Sequence, residues 1–305
     1  MNAFKKSALF IALAAAAAAA QAGPVDVYGV ADIGYSHTKI DGSTVNTLSS
    51  SGKSDSFIGV KASEDFGSGV KAVVTLEAAY DLDTGATSQN LFSREASIGF
   101  TTGVHTLKAG RLQSLGYAAT KQFDAFGGGN LGMARGVSNV AEYNSNTLGY
   151  TLAHGNFQFG AQHTFGEQVD GNLSDAATES FSIGYARGPV GLSLVRTEVD
   201  NAERTTQVAG GYDFGIAKAT VIVQDADRSV LDKSYMFGVS APVKGFIAQA
   251  SVGQAKLFNG EKVDLYSVGG AYPLSKRTSV YAAYGRADVL ASKGENFAVG
   301  VNHAF

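Results

Sequence analysis

From Val70 to Leu82 the chain reads VKAVVTLEAAYDL, and every second residue is apolar: Val70, Ala72, Val74, Leu76, Ala78, Tyr80 and Leu82. The alternate positions carry Lys71, Thr75, Glu77 and Asp81. A period of two over this length predicts a strand with one greasy and one wet face. A helix would scatter the same apolar residues around its circumference. The last residues, ENFAVGVNHAF, repeat the pattern: Phe297, Val299, Val301, His303 and Phe305 share one side, Ala298, Gly300, Asn302 and Ala304 the other.

Comparable segments recur along the chain and predict strands near 25–38, 55–63, 70–82, 92–102, 105–112, 138–152, 156–166 and 178–187. Others lie near 190–199, 205–213, 217–226, 233–241, 246–256, 263–273, 278–288 and 295–305. That makes sixteen strands with no helical segment between them. Their connectors alternate between tight turns, such as HGN (154–156) and RGPV (187–190), and generally longer polar loops, such as 39–54 and 113–137. Strict interleaving of short and longer connectors is the signature of a barrel with one turn side and one loop side. The fold expected is all-β, a 16-stranded antiparallel transmembrane β-barrel. In lipid no sheet edge can stay unpaired, so the last strand is expected to close on the first, near Val25 to Tyr35.

Residues 1–22 do not belong to that pattern. Lys5 and Lys6 precede an apolar run from Ala8 to Ala20, and Ala20-Gln21-Ala22 forms a small-x-small cleavage site before Gly23. This is a signal peptide rather than a membrane anchor, leaving residues 23–305 as one barrel domain. Its loss reduces Lys plus Arg from 24 to 22 against 27 acidic residues, a net charge of −5 that argues against nucleic acid as a partner. The chain has no Cys, which excludes disulfides and thiolate metal sites. With 38 Gly, no Trp and a mean hydropathy near zero, the composition fits alternating lipid-facing and lumen-facing positions.

In these segments the chain resembles the Gram-negative general-diffusion porins of the betaproteobacterial and neisserial type. The residues carrying the resemblance are VDVYGVADIGY at the mature start, GVKASEDFGSGVKAVVTLE (59–77), LKAGRLQS (107–114), YPLSKRTSVYAAYG (272–285) and the terminal FAVGVNHAF. The resemblance implies an outer-membrane barrel, usually a homotrimer, that passes ions and small hydrophilic solutes without a cofactor or metal. It also implies a third loop, here 113–137, folded into the lumen as a constriction. The terminal strand, with Phe305, His303 and Val301, would be the signal that the barrel-assembly machinery reads.

Selectivity in such a pore arises from opposed charges on a narrow waist. Alternation points Lys61 and Lys108 inward, with Asp26, Asp32, Lys71, Glu77, Asp81 and Glu142 as further lumen candidates. Strict alternation puts Arg111 on the lipid side with Leu107 and Ala109. The family's Gly-Arg pair lies in the constriction, which implies a local bulge at Gly110; otherwise Arg111 would snorkel to the rim. The third loop departs from the family. Where a Pro-Glu-Phe-Gly-like motif is common, this chain has DAFGGG, with Asp124 one position early and Ala125 at the glutamate position. Phe57 stands where an inward arginine is common, and Arg135 is one place from another such position. Gly127, Gly128 and Gly129 let the loop bend tightly inside the barrel. Lys121 and Arg135 against Asp124, with Lys61, Lys108 and Arg111 nearby, predict a weak anion preference.

Other chemistries find less support. GGGNLG (127–132) matches a dinucleotide fingerprint formally but lacks the following helix and the βαβ frame. His37, His105 and His163 are each followed by Thr, and none has the serine two residues on that an outer-membrane phospholipase would show. The spacing of His154 and His163 fits no metal motif. The acidic loops 167–179 and 225–232 could hold divalent cations shared with lipopolysaccharide, although solvated loop faces account for them. No enzyme is expected. The alternatives are a substrate-selective channel for organic anions or sugars and, in another class, a plugged barrel acting as adhesin or receptor. Ala31, Ala78 and Ala96 are candidate subunit contacts.

Overall fold

The computed structural model describes residues 23–305 apart from 88–89, 130, 132–137, 139, 170–171, 228–229 and 290–291. The expected signal peptide and Arg135 therefore lie outside the described residues. The first half contains β1 (Val25–Ile40), β2 (Ser43–Ser50), β3 (Phe57–Asp65), β4 (Lys71–Ala79), β5 (Ala96–Thr101) and β6 (His105–Gln113). Helix α1 (Leu115–Phe123) comes next, then β7 (Tyr143–His154), β8 (Phe157–Thr164), β9 (Glu167–Val169) and β10 (Asn172–Asp175). The second half is β11 (Thr178–Arg187), β12 (Val190–Val199), β13 (Arg204–Asp213), β14 (Lys218–Asp227) and β15 (Leu231–Val243). It ends with β16 (Phe246–Leu257), β17 (Lys262–Pro273), β18 (Thr278–Val289) and β19 (Ser292–Ala304).

Sixteen of these strands close an antiparallel barrel. β3 pairs with β1, the order runs on to β8, β8 pairs with β11, and β11 continues strand by strand to β19, which pairs with β1. Every strand expected from alternation has its counterpart. The additions are β2, which extends the loop side of β1 as a hairpin arm, and a small ribbon of β9 and β10.

The seam explains the alternating terminus. β19 runs against β1 in unbroken register from Val30↔Ala304 to Ile40↔Gly294. Beyond it, the Phe305 N–H donates to the Gly29 carbonyl and the Gly29 N–H to the Phe305 carbonyl, each at 3.1 Å. The terminal backbone is thus paired in the ladder, as a membrane interior demands.

The two faces separate as alternation requires. On β14, Val221 and Val223 are 43% and 47% exposed on the outer wall, while Thr220, Ile222 and Gln224 are buried on the inner one. No described helix is long and apolar enough to cross a membrane.

One expectation is corrected. The third connector is not free of helix: α1 lies between β6 and β7 and sits inside the barrel. Its N-cap Ser114 accepts the Tyr117 N–H at 3.1 Å and donates to the Ala141 carbonyl, satisfying an otherwise orphaned amide. A helix completes its own hydrogen bonds, so a segment inside a barrel can leave the sheet without stranding polar backbone. Phe123 at its end packs on inward-facing Ala209, Ile222, Met236 and Leu265. Phe126 packs against Ala271, Tyr281, Ala283 and Ala298. Gln207 donates to Thr120 Oγ1 at 2.8 Å and Gln249 to the Ala125 carbonyl at 2.5 Å. The third loop is pinned to the inner wall from β13 to β19.

Candidate functional site

The charged residues of the inner wall gather beside that loop. A cavity of about 430 Å³ is lined by Ser51, Asp55, Ser56, Ala79, Tyr80, Asp81, Ser93, Arg94, Arg111, Glu142 and Tyr143. Its residues come from the loop after β2, the end of β4, the approach to β5, and the facing ends of β6 and β7.

Arg111 reaches the cavity because the ladder is broken. Register between β6 and β7 shifts between Gly110 and Leu112, and Gly110 has φ 130°, a left-handed value that side chains rarely tolerate. An extra residue at a bulge re-aims the side chains next to it. Arg111 then donates through Nε to the Ser93 carbonyl and through Nη1 to Ser145 Oγ, both at 2.8 Å, with its guanidinium 5.7 Å from the Tyr143 ring. The ladder is irregular beside Gly110, with the extra residue on β7 between Asn144 and Thr147.

Arg94 is the residue that sequence reasoning missed. It is 8% exposed and donates to Asp55 Oδ2 at 2.8 Å and Glu77 Oε2 at 3.1 Å. Its guanidinium lies 4.3 Å over the Phe57 ring and 5.4 Å from that of Tyr143. Glu77 also accepts from the Tyr28 hydroxyl at 2.8 Å. Two carboxylates and two ring faces compensate the desolvation of this buried cation. Phe57 supplies one of those rings. Alternation along the strand expected at 92–102 sets Arg94 on the side of Ala96, Ile98 and Phe100, but the structure starts β5 only at Ala96, which leaves Arg94 outside that alternation.

The remaining predicted residues are spread more widely. Lys108 donates to Glu95 Oε1 at 2.7 Å. Lys61 stands directly opposite Asp26 and Thr75 in the ladders, while Gly59, two residues earlier, stands opposite Glu77. Lys71 forms an exposed pair with Asp65 at 3.5 Å. Lys121, on α1, has its amine 5.7 Å from the Tyr117 ring. Asp124 is buried and accepts the N–H groups of Phe126 at 3.2 Å and Gly128 at 2.6 Å, so its carboxylate closes the loop's own turn. Gly127 and Gly128 hold φ 74° and 78° in that turn, and Gly129 comes after them against the loop after β2.

Asp32 is fully buried and binds the loop after β2. It accepts the N–H of Gly52 at 2.9 Å, of Ser54 at 3.2 Å and, at 3.4 Å, of Lys53. The Lys53 amine donates to Ser279 Oγ at 3.1 Å. Burial pushes its pKa below the ordinary lysine range, with the Asp32 carboxylate acting in the opposite direction. The histidines serve the wall: His163 bonds Glu179, His105 the Tyr150 hydroxyl, His37 Asn46, and His303 Thr278.

A cavity lined by close opposed charges can hold ions and orient polar solutes. The family model described as Gram-negative porin matches residues 7–291. An outer membrane porin protein of Bordetella pertussis is 27% identical over 99% of this chain and 100% of its own. Outer membrane porin protein 32 of Delftia acidovorans is 28% identical over 91% of this chain and 88% of its own. In three dimensions the chain is similar to an anion-selective porin from Comamonas acidovorans, with a TM-score of 0.79 at 22% identity, covering 92% of this chain and 99% of that one. A closed barrel whose charged waist lies beside an inward loop, matched over nearly its whole length by such relatives, belongs to the Gram-negative porin family: it is an integral outer-membrane channel for passive diffusion.

Proposed function

We propose that the waist gives this porin a weak preference for anions, with Arg111 as its main determinant. One observation carries the reading. Arg94 and Lys108 are each paired with carboxylates, whereas the hydrogen bonds of Arg111 go to neutral oxygens, Ser93 O and Ser145 Oγ. A cation compensated by neutral dipoles keeps its field, and low-dielectric walls focus that field into the passage. Lys61 and Lys121 add positive charge on either side, and Asp81 and Glu142 moderate it. The similar porin from Comamonas acidovorans is anion-selective by its own description, which supports the same sign here. The test is the reversal potential of the purified protein in a planar bilayer under a KCl gradient. A potential on the chloride side is expected, and cation preference in the wild-type channel would overturn the proposal.

The same reading includes features typical of the family. The working unit is a homotrimer set in lipid and lipopolysaccharide, with no catalytic activity. Residues 1–22 are cleaved near Ala22-Gly23 on export. Phe305, His303 and Val301 present the terminal strand to the barrel-assembly machinery. Closures in thirds at high voltage would support the trimer, and monomeric closures would exclude it.

A further inference from the structure

Two loops enter the lumen. Besides the third, the segment 51–56 between β2 and β3 turns inward and lies on the inner wall of β1, β18 and β19. Asp32 holds it there: beyond the amides of Gly52, Lys53 and Ser54, its carboxylate accepts the Tyr281 hydroxyl at 2.8 Å and Asn302 Nδ2 at 2.9 Å. Asn302 also donates to Ser54 Oγ at 2.7 Å. A carboxylate with this many donors is a strong, fully satisfied anchor.

The segment meets the third loop. A Cβ on Gly129 would lie 1.8 Å from the Lys53 carbonyl oxygen, so the two loops are in backbone contact there. It also brings an acid to the waist, since Asp55 reaches Arg94 Nη1 at 2.8 Å. The third loop's own Asp124 is meanwhile buried in its turn, with Ala125 beside it. The loop carboxylate that touches the basic wall at Arg94 thus comes from the first long loop.

We infer that segment 51–56 is a second constriction element, in which Asp55 determines selectivity and Asp32 is the positioning residue. The inference rests on the cavity at the waist being the ion path. Four channels test it in the bilayer and by liposome swelling: wild type, Asp55→Asn, Asp32→Asn and Gly129→Ala. Loss of one of the two carboxylates on Arg94 should raise the anion-to-cation permeability ratio of Asp55→Asn about twofold. Asp32→Asn should show the same rise together with a larger conductance and a higher solute exclusion limit. Gly129→Ala, which forces the two loops apart from the other side, should reproduce the larger conductance and limit. If Asp32→Asn does not fold, Tyr281→Phe removes one donor and should shift the same readouts in the same direction by less.

An Asp55→Asn reversal potential equal to wild type in a conducting channel would overturn the role of Asp55. Wild-type conductance and exclusion limit in folded Asp32→Asn and Gly129→Ala would overturn the second constriction. Both comparisons are made against wild type, so they hold whichever ion the wild-type channel prefers. Cation preference in wild type would defeat the selectivity proposed above and leave this inference standing.

Discussion

Gly110 and Arg111 show how one backbone irregularity turns a costly lipid-facing cation into a pore-lining one. Alternation alone assigns Arg111 to the lipid side, where a charge at mid-membrane is destabilising by about 2–4 kcal/mol. The bulge removes that conflict, and it depends on the φ of 130° at Gly110. A Cβ at this position would also meet the Ala96 carbonyl oxygen at 2.2 Å. Gly110→Val should therefore lower the yield of folded barrel, read as loss of the heat-modifiable band on a gel. Arg111→Ala should fold and move the reversal potential toward cations, because it removes a charge and no sheet hydrogen bond. Of the waist residues, Lys108 and Glu77 were legible from alternation. Arg94 was not, because its partners Asp55 and Glu77 lie 39 and 17 residues away and meet it only when β3, β4 and β5 pair.

At the scale of elements, strands were readable and the helix was not. A strand exposes its two environments at every second residue, so a short window suffices. Helix α1 is a single short segment with Gly116 inside it, a residue that disfavours helices, and its apolar stripe is brief. What holds it is the Ser114 cap and the docking of Phe123 against a wall assembled from β13 to β17. Ser114→Ala removes the cap, which typically costs about 1 kcal/mol. The amides of α1 should exchange faster with solvent, while thermal unfolding of the barrel stays at its wild-type midpoint. An unchanged exchange rate would show that wall contacts alone fix the helix.

For the whole molecule, the decisive contact is the seam between β1 and β19. Local strand pairs form within hairpins, but this one joins the first and last strands of the barrel, and closing so long a loop makes it slow to form. Phe305 stands at its end, bonded in both directions to Gly29. Deleting Phe305 removes two seam hydrogen bonds and the ring that lies against Gly29. The truncated chain should accumulate as unfolded, protease-sensitive material in refolding assays, whereas wild type closes to a resistant barrel.

The sequence by itself determined the class of architecture, the strand count, the parity of turns and loops, and the closure of the last strand on the first. Each comes from periodicity of two and from the need of lipid-embedded backbone to pair. The tertiary structure decided which charges meet. Alternation says that Asp32, Glu77 and Lys108 face inward, yet not that Asp32 grips a loop, that Asp124 closes a turn, or that Arg94 lies between two rings. The settings of Asp32 and Arg94 depend on contacts between residues far apart in the chain, and the Asp124 turn, though closed by near neighbours, is buried only when the loop folds against the inner wall.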